Sequence, residues 1–178
     1  VGSLYYIKNQ SLIIQALSIL DFSSELFLVG DGIDRKQLEN LVRLEKLDEK
    51  VNFTGKIKNV NNFLINADCF VLSSNSEGFP NVLVEAMAVG LPVISTNCKS
   101  GPLEILNDNI SVQINKGDFL LAKYGILINV GDVLGLKNAI SFLYNNIDFR
   151  VKYSTLSYIR AKDFNVDEIY VQLKKLLC

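Results

Sequence analysis

Five short apolar runs, each closed by glycine or small polar residues, alternate along this chain with longer amphipathic stretches. The runs are ELFLVG (25–30), VNFTG (51–55), DCFVLSS (68–74), LPVIST (91–96) and YGILINV (124–130). They are apolar on consecutive positions and rich in β-branched and aromatic residues, the pattern of strands covered on both faces. Between them, Leu12, Ile13, Ala16, Leu17 and Leu20 recur at helical spacing in 11–20, and Leu38, Leu41, Val42 and Leu44 do so in 34–47. Asp34 stands where it can cap the second of these helices. Further helices are expected over 60–67, 81–90, 132–146, 148–162 and 166–177, with Gly90 closing 81–90 and Asp132 capping 132–146. Strand–helix alternation on short loops predicts an α/β domain: a parallel sheet with right-handed crossovers and helices on both faces. With 178 residues, the chain is long enough for one such domain with a sizeable core.

Ligands of such sheets bind beyond the carboxyl ends of the strands. That rule directs attention to the loops GDG (30–32), GKIKN (55–59), SSNSEGFPN (73–81) and TNCKSGP (96–102). The richest stretch is SEGFPNVLVEAMAVGLPV (76–93), which carries two acids, Glu77 and Glu85, on either side of a Gly78-Phe79-Pro80 turn. Pro80 suits the first turn of a helix. The amides of Asn81, Val82 and Leu83 are then expected to point unpaired from the helix start, a ready anion site. Gly78 lets the backbone approach a ligand closely. Glu85, one turn deeper, could accept from both hydroxyls of a ribose, as the acid of a dinucleotide fold does. Glu77 would face the same cleft and hold the hydroxyls of whatever follows the phosphates. A single helix glutamate is more often a solvated residue worth about 0.3–1 kcal/mol to the dipole. Loop acid, turn and helix acid together outweigh that reading.

Other signals are weaker. GDGIDR (30–35) lacks the third glycine of a dinucleotide fingerprint, so it reads as a plain turn with Asp31 bordering the cleft. Cys98 follows a strand but has no histidine to activate it, and an unreactive thiol is expected. Lys99 lines the same loop or is merely solvated. Ser100-Gly101-Pro102 reads as a tight turn, and 118–123 as a surface insertion.

Several function classes are excluded. Net charge is −1 and no stretch is basic enough to track a phosphate backbone, so no nucleic-acid partner is expected. The chain has no histidine, which rules out histidine-based nucleophilic chemistry and histidine-ligated metals within it. Its three cysteines lack metal-ligand spacing and suit free thiols in a reducing, cytoplasmic setting. No apolar run approaches the roughly 20 residues that cross a bilayer. The opening VGSL looks like the end of a strand, so a fragment with a partner half upstream is expected.

SEGFPNVLVEAMAVGLPVIST (76–96) resembles the E-x7-E segment of the family 4 retaining glycosyltransferases. Similar segments follow the family order: VGSLYYIKNQSLIIQAL (1–17), LFLVGDGIDRKQLENL (26–41), VNFTGKIKNV (51–60) and ADCFVLSS (67–74). SGPLEIL (100–106) and YGILINVGD (124–132) resemble a subgroup working on bacterial surface polysaccharides. The resemblance implies a GT-B architecture of two facing Rossmann-like domains. Residues 1–178 would be the C-terminal, nucleotide-sugar-binding domain, with the N-terminal acceptor domain absent and helices 148–178 packing toward it. Tyr5 and Tyr6 would face the same absent half. It implies that Glu85 contacts the ribose and Glu77 the transferred sugar. The Gly78-Phe79-Pro80 turn and the amides of Asn81, Val82 and Leu83 would hold the diphosphate or sugar. Lys8 would neutralise the diphosphate, and Lys56 and Ile57 would lie near the base. Ser3 is a departure, because the family usually has an arginine there, and a hydroxyl cannot replace its bidentate phosphate binding.

The expected activity is retaining transfer from a nucleotide-sugar donor, a UDP-sugar by analogy, to a glycan or lipid-linked acceptor held by the missing half. No cofactor and no metal are expected, since Lys8 and the helix start would supply the positive potential. Peripheral association with the inner face of the plasma membrane would run through the missing half. A sugar-nucleotide 2-epimerase of the same fold and a non-catalytic nucleotide-binding module are the rival readings.

Overall fold

A computed structural model describes residues 1–164; the helix expected over 166–177 lies outside the described residues. Strand β1 (Leu26–Val29) pairs in parallel with β2 (Val51–Gly55). Strands β3 (Phe70–Leu72), β4 (Val93–Thr96) and β6 (Ile126–Ile128) form a second parallel ladder in the order β3-β4-β6. Strand β5 (Phe119–Leu121) adds to the outer edge of β6 antiparallel. The expected parallel α/β architecture is therefore present, but hydrogen bonding divides it into two ladders. The stretch 118–123, expected as a surface insertion, instead supplies an edge strand. The reason lies in its alternation: Phe119 packs with the core on one face and Leu120 with the core on the other.

The helices are α1 (Gln10–Ser18), α2 (Arg35–Leu44), α3 (Asn61–Leu64), α4 (Asn81–Ala88), α5 (Pro102–Asn107), α6 (Val133–Asn145) and α7 (Ile147–Lys162). A 3₁₀ turn, Tyr6–Lys8, precedes α1. The stretch 60–67 yields only the single turn of α3. The expected turn at Ser100-Gly101-Pro102 opens helix α5, with Pro102 as its first residue. Asp34 occupies the position before α2, but its carboxylate accepts no capping hydrogen bond. Asp132 does cap α6: it accepts from the amide of Gly135 at 2.9 Å and also from that of Gly117 at 2.6 Å. At the end of α4, the amide of Gly90 donates to Met87 and that of Leu91 to Ala86, the double bond pattern of a Schellman cap.

Side-chain alternation sorts the strands onto two faces. Phe70, Leu72, Val93 and Leu127 pack with Leu83, Ala86 and Met87 of α4 and Ile105 and Leu106 of α5. Ile94, Ile126 and Ile128 point the other way, onto Leu12, Ile13 and Ala16 of α1 and Leu136 and Ala139 of α6. A third cluster joins α1 and α2 to β1 and β2 through Ile14, Leu17, Leu28, Leu38, Val42 and Val51. Every residue of β4 and β6 is buried, as strands covered on both faces require. Helix α7 docks on α4 and α6, and its buried Tyr153 donates to the carbonyl of Ala122 at 2.9 Å. Arg160 of α7 also donates to the carbonyls of Glu104 and Ile105 on α5. One face of α7, with Tyr153, Ser157 and Ala161, is buried on this domain.

Candidate functional site

The carboxyl ends of β3 and β4 open into two loops that lie side by side. Thr96, buried at the end of β4, donates its hydroxyl to the carbonyl of Ser74 at 2.6 Å. Ser76 bridges Lys99 in parallel register, and the amide of Glu77 donates to the Lys99 carbonyl. Gly101 then packs on the Gly78–Pro80 turn, with backbone φ +84°. A Cβ there would collide with Cδ of Pro80 and lie 2.8 Å from the carbonyl oxygen of Gly78.

The 3₁₀ turn before α1 is stitched to the same loop. Ser73 donates its hydroxyl to the carbonyl of Lys8 at 2.7 Å, and the amide of Asn75 donates to Ile7 at 2.8 Å. The Asn75 side chain donates to Tyr6 and accepts from Asn9, whose own carbonyl accepts from Ser11. Asn9 adopts a left-handed conformation (φ 47°), which lets one residue close the turn and open α1.

These contacts bring Lys8 onto Glu77. Lys8 Nζ donates to Glu77 Oε1 at 2.7 Å and to Oε2 at 2.9 Å, and Ser74 Oγ donates to Oε1 at 2.6 Å. The Glu77 side chain is 7% exposed and that of Lys8 31%. Valence counting defines what remains. An ammonium has three donors and a carboxylate about four acceptor sites. Among the described residues, two of the donors and three of the acceptor sites are used, which leaves one donor on Lys8 and one acceptor site on Glu77. The pair can therefore bind an anion and a hydroxyl next to each other.

Helix α4 differs from expectation at its start. Pro80 is the residue before the helix rather than its first turn. Two of the three amides expected to be unpaired are engaged: Asn81 donates to the carbonyl of Phe79 at 3.0 Å and Leu83 to that of Pro80 at 2.9 Å. Proline's fixed φ bends the chain tightly enough for these short turns to close. Among the described residues, only the Val82 amide of the three has no partner. The Leu83 side chain is fully buried in the core, and Val82 packs at its margin. Glu85 is exposed in the second turn of α4, with no hydrogen bond or ion pair among the described residues.

The remaining expected residues are dispersed around this centre. A Cβ at Gly78 would meet open space. Phe79 is partly exposed, and its ring packs on Phe164 with centroids 5.5 Å apart. Pro80 is buried against Gly101. Asp31 accepts from the amide of Gly32 at 2.8 Å and faces Arg35 at 3.7 Å. The GDG loop is a crossing of backbones: a Cβ on Gly30 would strike the carbonyl of Gly2, and one on Gly32 that of Leu4. Ser3 is exposed, and its carbonyl, not its hydroxyl, is bonded, by Gln10. Lys56 is exposed and Ile57 half-buried in the loop after β2, and neither is hydrogen-bonded to the Lys8–Glu77 pair. Tyr6, in the 3₁₀ turn that ends at Lys8, is 85% exposed.

Sequence reasoning missed Ser74, Asn75, Asn9 and Thr96, which hold the pair in place. Only one signal was available. Small polar residues directly after an apolar strand, three positions before an acid, suit a hydrogen bond back to that acid.

The surroundings of Cys69 and Cys98 disfavour their thiolate forms. Burial pushes Cys69 from an ordinary 9.0 up to about 12, with Asp68 adding to the shift. Burial also raises Cys98, against the opposing effect of a hydrogen bond with Thr96. A thiol raised in the folded state stabilises the protein fully below its unfolded value and loses that contribution as pH climbs to the folded value. Stability is therefore expected to fall between pH 9 and 12, where Tyr153, raised from 10.0 to about 12 by burial, acts in the same direction. Denaturant midpoints measured across that range check the expectation. Native Cys69 and Cys98 should also resist iodoacetamide at pH 8 and react once denatured.

Comparison with known proteins bears on the family and the fold. A family model described as glycosyl transferases group 1 matches residues 1–146. An uncharacterized glycosyltransferase of Methanocaldococcus jannaschii is 33% identical over 172 residues, covering 87% of this chain and 42% of that protein. An N-acetylgalactosamine-N,N'-diacetylbacillosaminyl-diphospho-undecaprenol 4-alpha-N-acetylgalactosaminyltransferase of Campylobacter jejuni is 28% identical over 165 residues, covering 93% of this chain and 42% of its own. Among solved structures, HepE of Anabaena in complex with UDP superposes with a TM-score of 0.83 at 23% identity, over 99% of this chain and 46% of that one. The chain spans less than half the length of each of these proteins.

Proposed function

This chain belongs to the group 1 glycosyl transferases, and from that premise we propose that it is the donor-binding domain of a retaining glycosyltransferase. The domain binds a UDP-sugar, and the complete protein transfers the sugar to a glycan or lipid-linked acceptor in bacterial surface polysaccharide synthesis. The acceptor half is a separate N-terminal domain. The protein works in the cytoplasm, at the inner face of the plasma membrane. Among the described residues, no helix is long and apolar enough to cross a membrane.

One observation carries this reading: the Lys8–Glu77 pair keeps one donor and one acceptor side by side at the carboxyl ends of the strands. The free Lys8 donor binds an oxygen of the diphosphate. The free Glu77 site accepts from a hydroxyl of the transferred sugar. Val82 adds a backbone donor from the start of α4, and Glu85 accepts from the ribose. The base lies toward Lys56 and Ile57. In the transfer, the bond from the sugar carbon to the diphosphate oxygen breaks. The acceptor oxygen bonds to the same face, and its proton passes to the departing phosphate. Negative charge grows on the diphosphate, so a fixed ammonium in a partly desolvated site stabilises that step more than the ground state. No metal is required in this scheme. Ser3 leaves Lys8 as the cation at the diphosphate.

Calorimetric titration of the protein with UDP, GDP and NAD tests the reading. UDP is expected to bind weakly to this domain and NAD not at all. Tight NAD binding without UDP binding would overturn it. The isolated domain is expected to transfer nothing on its own.

A further inference from the structure

Two adjacent serines, Ser73 and Ser74, follow β3 directly, and both are buried. Their hydroxyls go to different arms of the site. Ser73 donates to the backbone carbonyl of Lys8 at 2.7 Å, so it reaches the segment that carries the cation. Ser74 donates to Glu77 Oε1 at 2.6 Å, so it reaches the acid itself, at the short length of a hydroxyl bonded to a carboxylate. The Ser74 carbonyl is held in turn by the hydroxyl of the fully buried Thr96, also at 2.6 Å.

The last torsion of a glutamate side chain is broad, so the side chain itself gives its carboxylate little orientation. Lys8 restrains Glu77 from one point, because both of its bonds come from a single nitrogen. A carboxylate held in that way can turn about the nitrogen. The Ser74 hydroxyl approaches from a second point and stops the turn. It also decides which oxygen is left for a ligand. Oε1 accepts from both Lys8 and Ser74, whereas Oε2 accepts from Lys8 alone. Each oxygen offers about two acceptor sites. Among the described residues, Oε1 is therefore full and the vacant site of Glu77 is on Oε2.

We infer that Ser74 is a positioning residue for the sugar end of the donor, and Ser73 one for its diphosphate end; the inference rests on the reading of this site as one for a nucleotide sugar. Ser74 holds Glu77 so that Oε2 meets one sugar hydroxyl in one fixed direction. Without the Ser74 hydroxyl, Oε1 has a vacant acceptor site on a side chain only 7% exposed, and the carboxylate is free to turn away from the sugar. Lys8 keeps its place in that case, because its segment is tied to the loop by Ser73 and Asn75 and not by Ser74. Ser73 acts through the Lys8 backbone and fixes where the ammonium stands. When Ser73 is changed, Asn75 still holds Tyr6 and Ile7, so the segment loosens without detaching.

Donor turnover and UDP binding by the full-length protein separate the two roles. Turnover is measured with UDP-glucose, UDP-galactose and their N-acetyl forms, and UDP is titrated as the sugar-free reference. Ser74→Ala is expected to lower kcat/KM for the donor used about 10–100-fold, as a misplaced group does, while UDP affinity stays within about threefold. Ser73→Ala is expected to weaken UDP and the UDP-sugar by the same factor, about 3–10-fold, for one lost hydrogen bond. Thr96→Val has nearly the shape of threonine but cannot hold the Ser74 carbonyl, and it is expected to follow Ser74→Ala with a smaller loss. Equal losses of UDP affinity and kcat/KM in Ser74→Ala would make Ser74 a support of the whole loop and overturn the inference. So would unchanged kcat/KM in that variant, or a Ser73→Ala protein that loses turnover but keeps its UDP affinity. Unmodified protein that binds UDP and turns over none of the four donors overturns the inference alone. Protein that binds no UDP overturns the proposed function beneath it.

Discussion

Lys8→Met is expected to lower sugar transfer by the full-length protein about 10²–10³-fold, the loss typical when one preorganised donor to a developing charge is removed. The lysine acts twice in the proposed scheme. Two of its donors hold Glu77, and the third stabilises the leaving diphosphate. Methionine retains most of the length and apolar stem but none of the charge. Glu77 is nearly buried, so the change also leaves a carboxylate with Ser74 as its remaining side-chain partner. The lost charge-assisted bonds cost about 1.5–3 kcal/mol of stability. Turnover with a UDP-sugar and the urea midpoint, measured on the same variant, separate the two roles. Lower stability with unchanged turnover would make Lys8 a structural partner only. Lys8→Arg provides a further comparison: it keeps the charge but changes the donor geometry, so a partial loss of turnover is expected.

Gly101→Ala is expected to destabilise the protein by about 2–4 kcal/mol, from a strained left-handed backbone and overpacking together. The new methyl group would occupy the space of Pro80 Cδ, and the carbonyl of Gly78 lies at 2.8 Å. Neither neighbour is the flexible end of a long side chain. The loop of 97–101 or the turn of 78–80 has to shift, and either movement displaces Glu77 from Lys8. Weaker UDP binding should accompany the lower unfolding midpoint. Gly78→Ala is the control, because its Cβ would enter open space. It should leave the midpoint nearly unchanged and lower UDP affinity only if the donor approaches the backbone there. Gly101→Ala with native stability would show that the turn does not position the site.

The site was only partly legible in the sequence. Glu77, the turn after it and Glu85 stood out because they are close in the chain and unlike an ordinary helix start. The stitching that holds them did not stand out. Lys8 and Glu77 are 69 residues apart, and each reads separately as a group awaiting a ligand. Their bond exists because the 3₁₀ turn and the loop after β3 exchange hydrogen bonds through Ser73, Asn75 and Asn9. The amides of α4 show the same limit. Helix geometry predicts free donors at a start, while Pro80 and the bend before it decide which donors fold back onto Phe79 and Pro80.

By itself, the sequence determined the kind of elements, their order and the parallel α/β class, because a strand covered on both faces and an amphipathic helix impose different apolar periods on neighbouring residues. It also carried the family, through short segments whose order is local information. Tertiary structure decided the antiparallel course of β5 and the pairing of Lys8 with Glu77. Those outcomes depend on which distant surfaces meet when loops close, and on which buried polar groups then find partners. Neither is written into any one stretch of the chain.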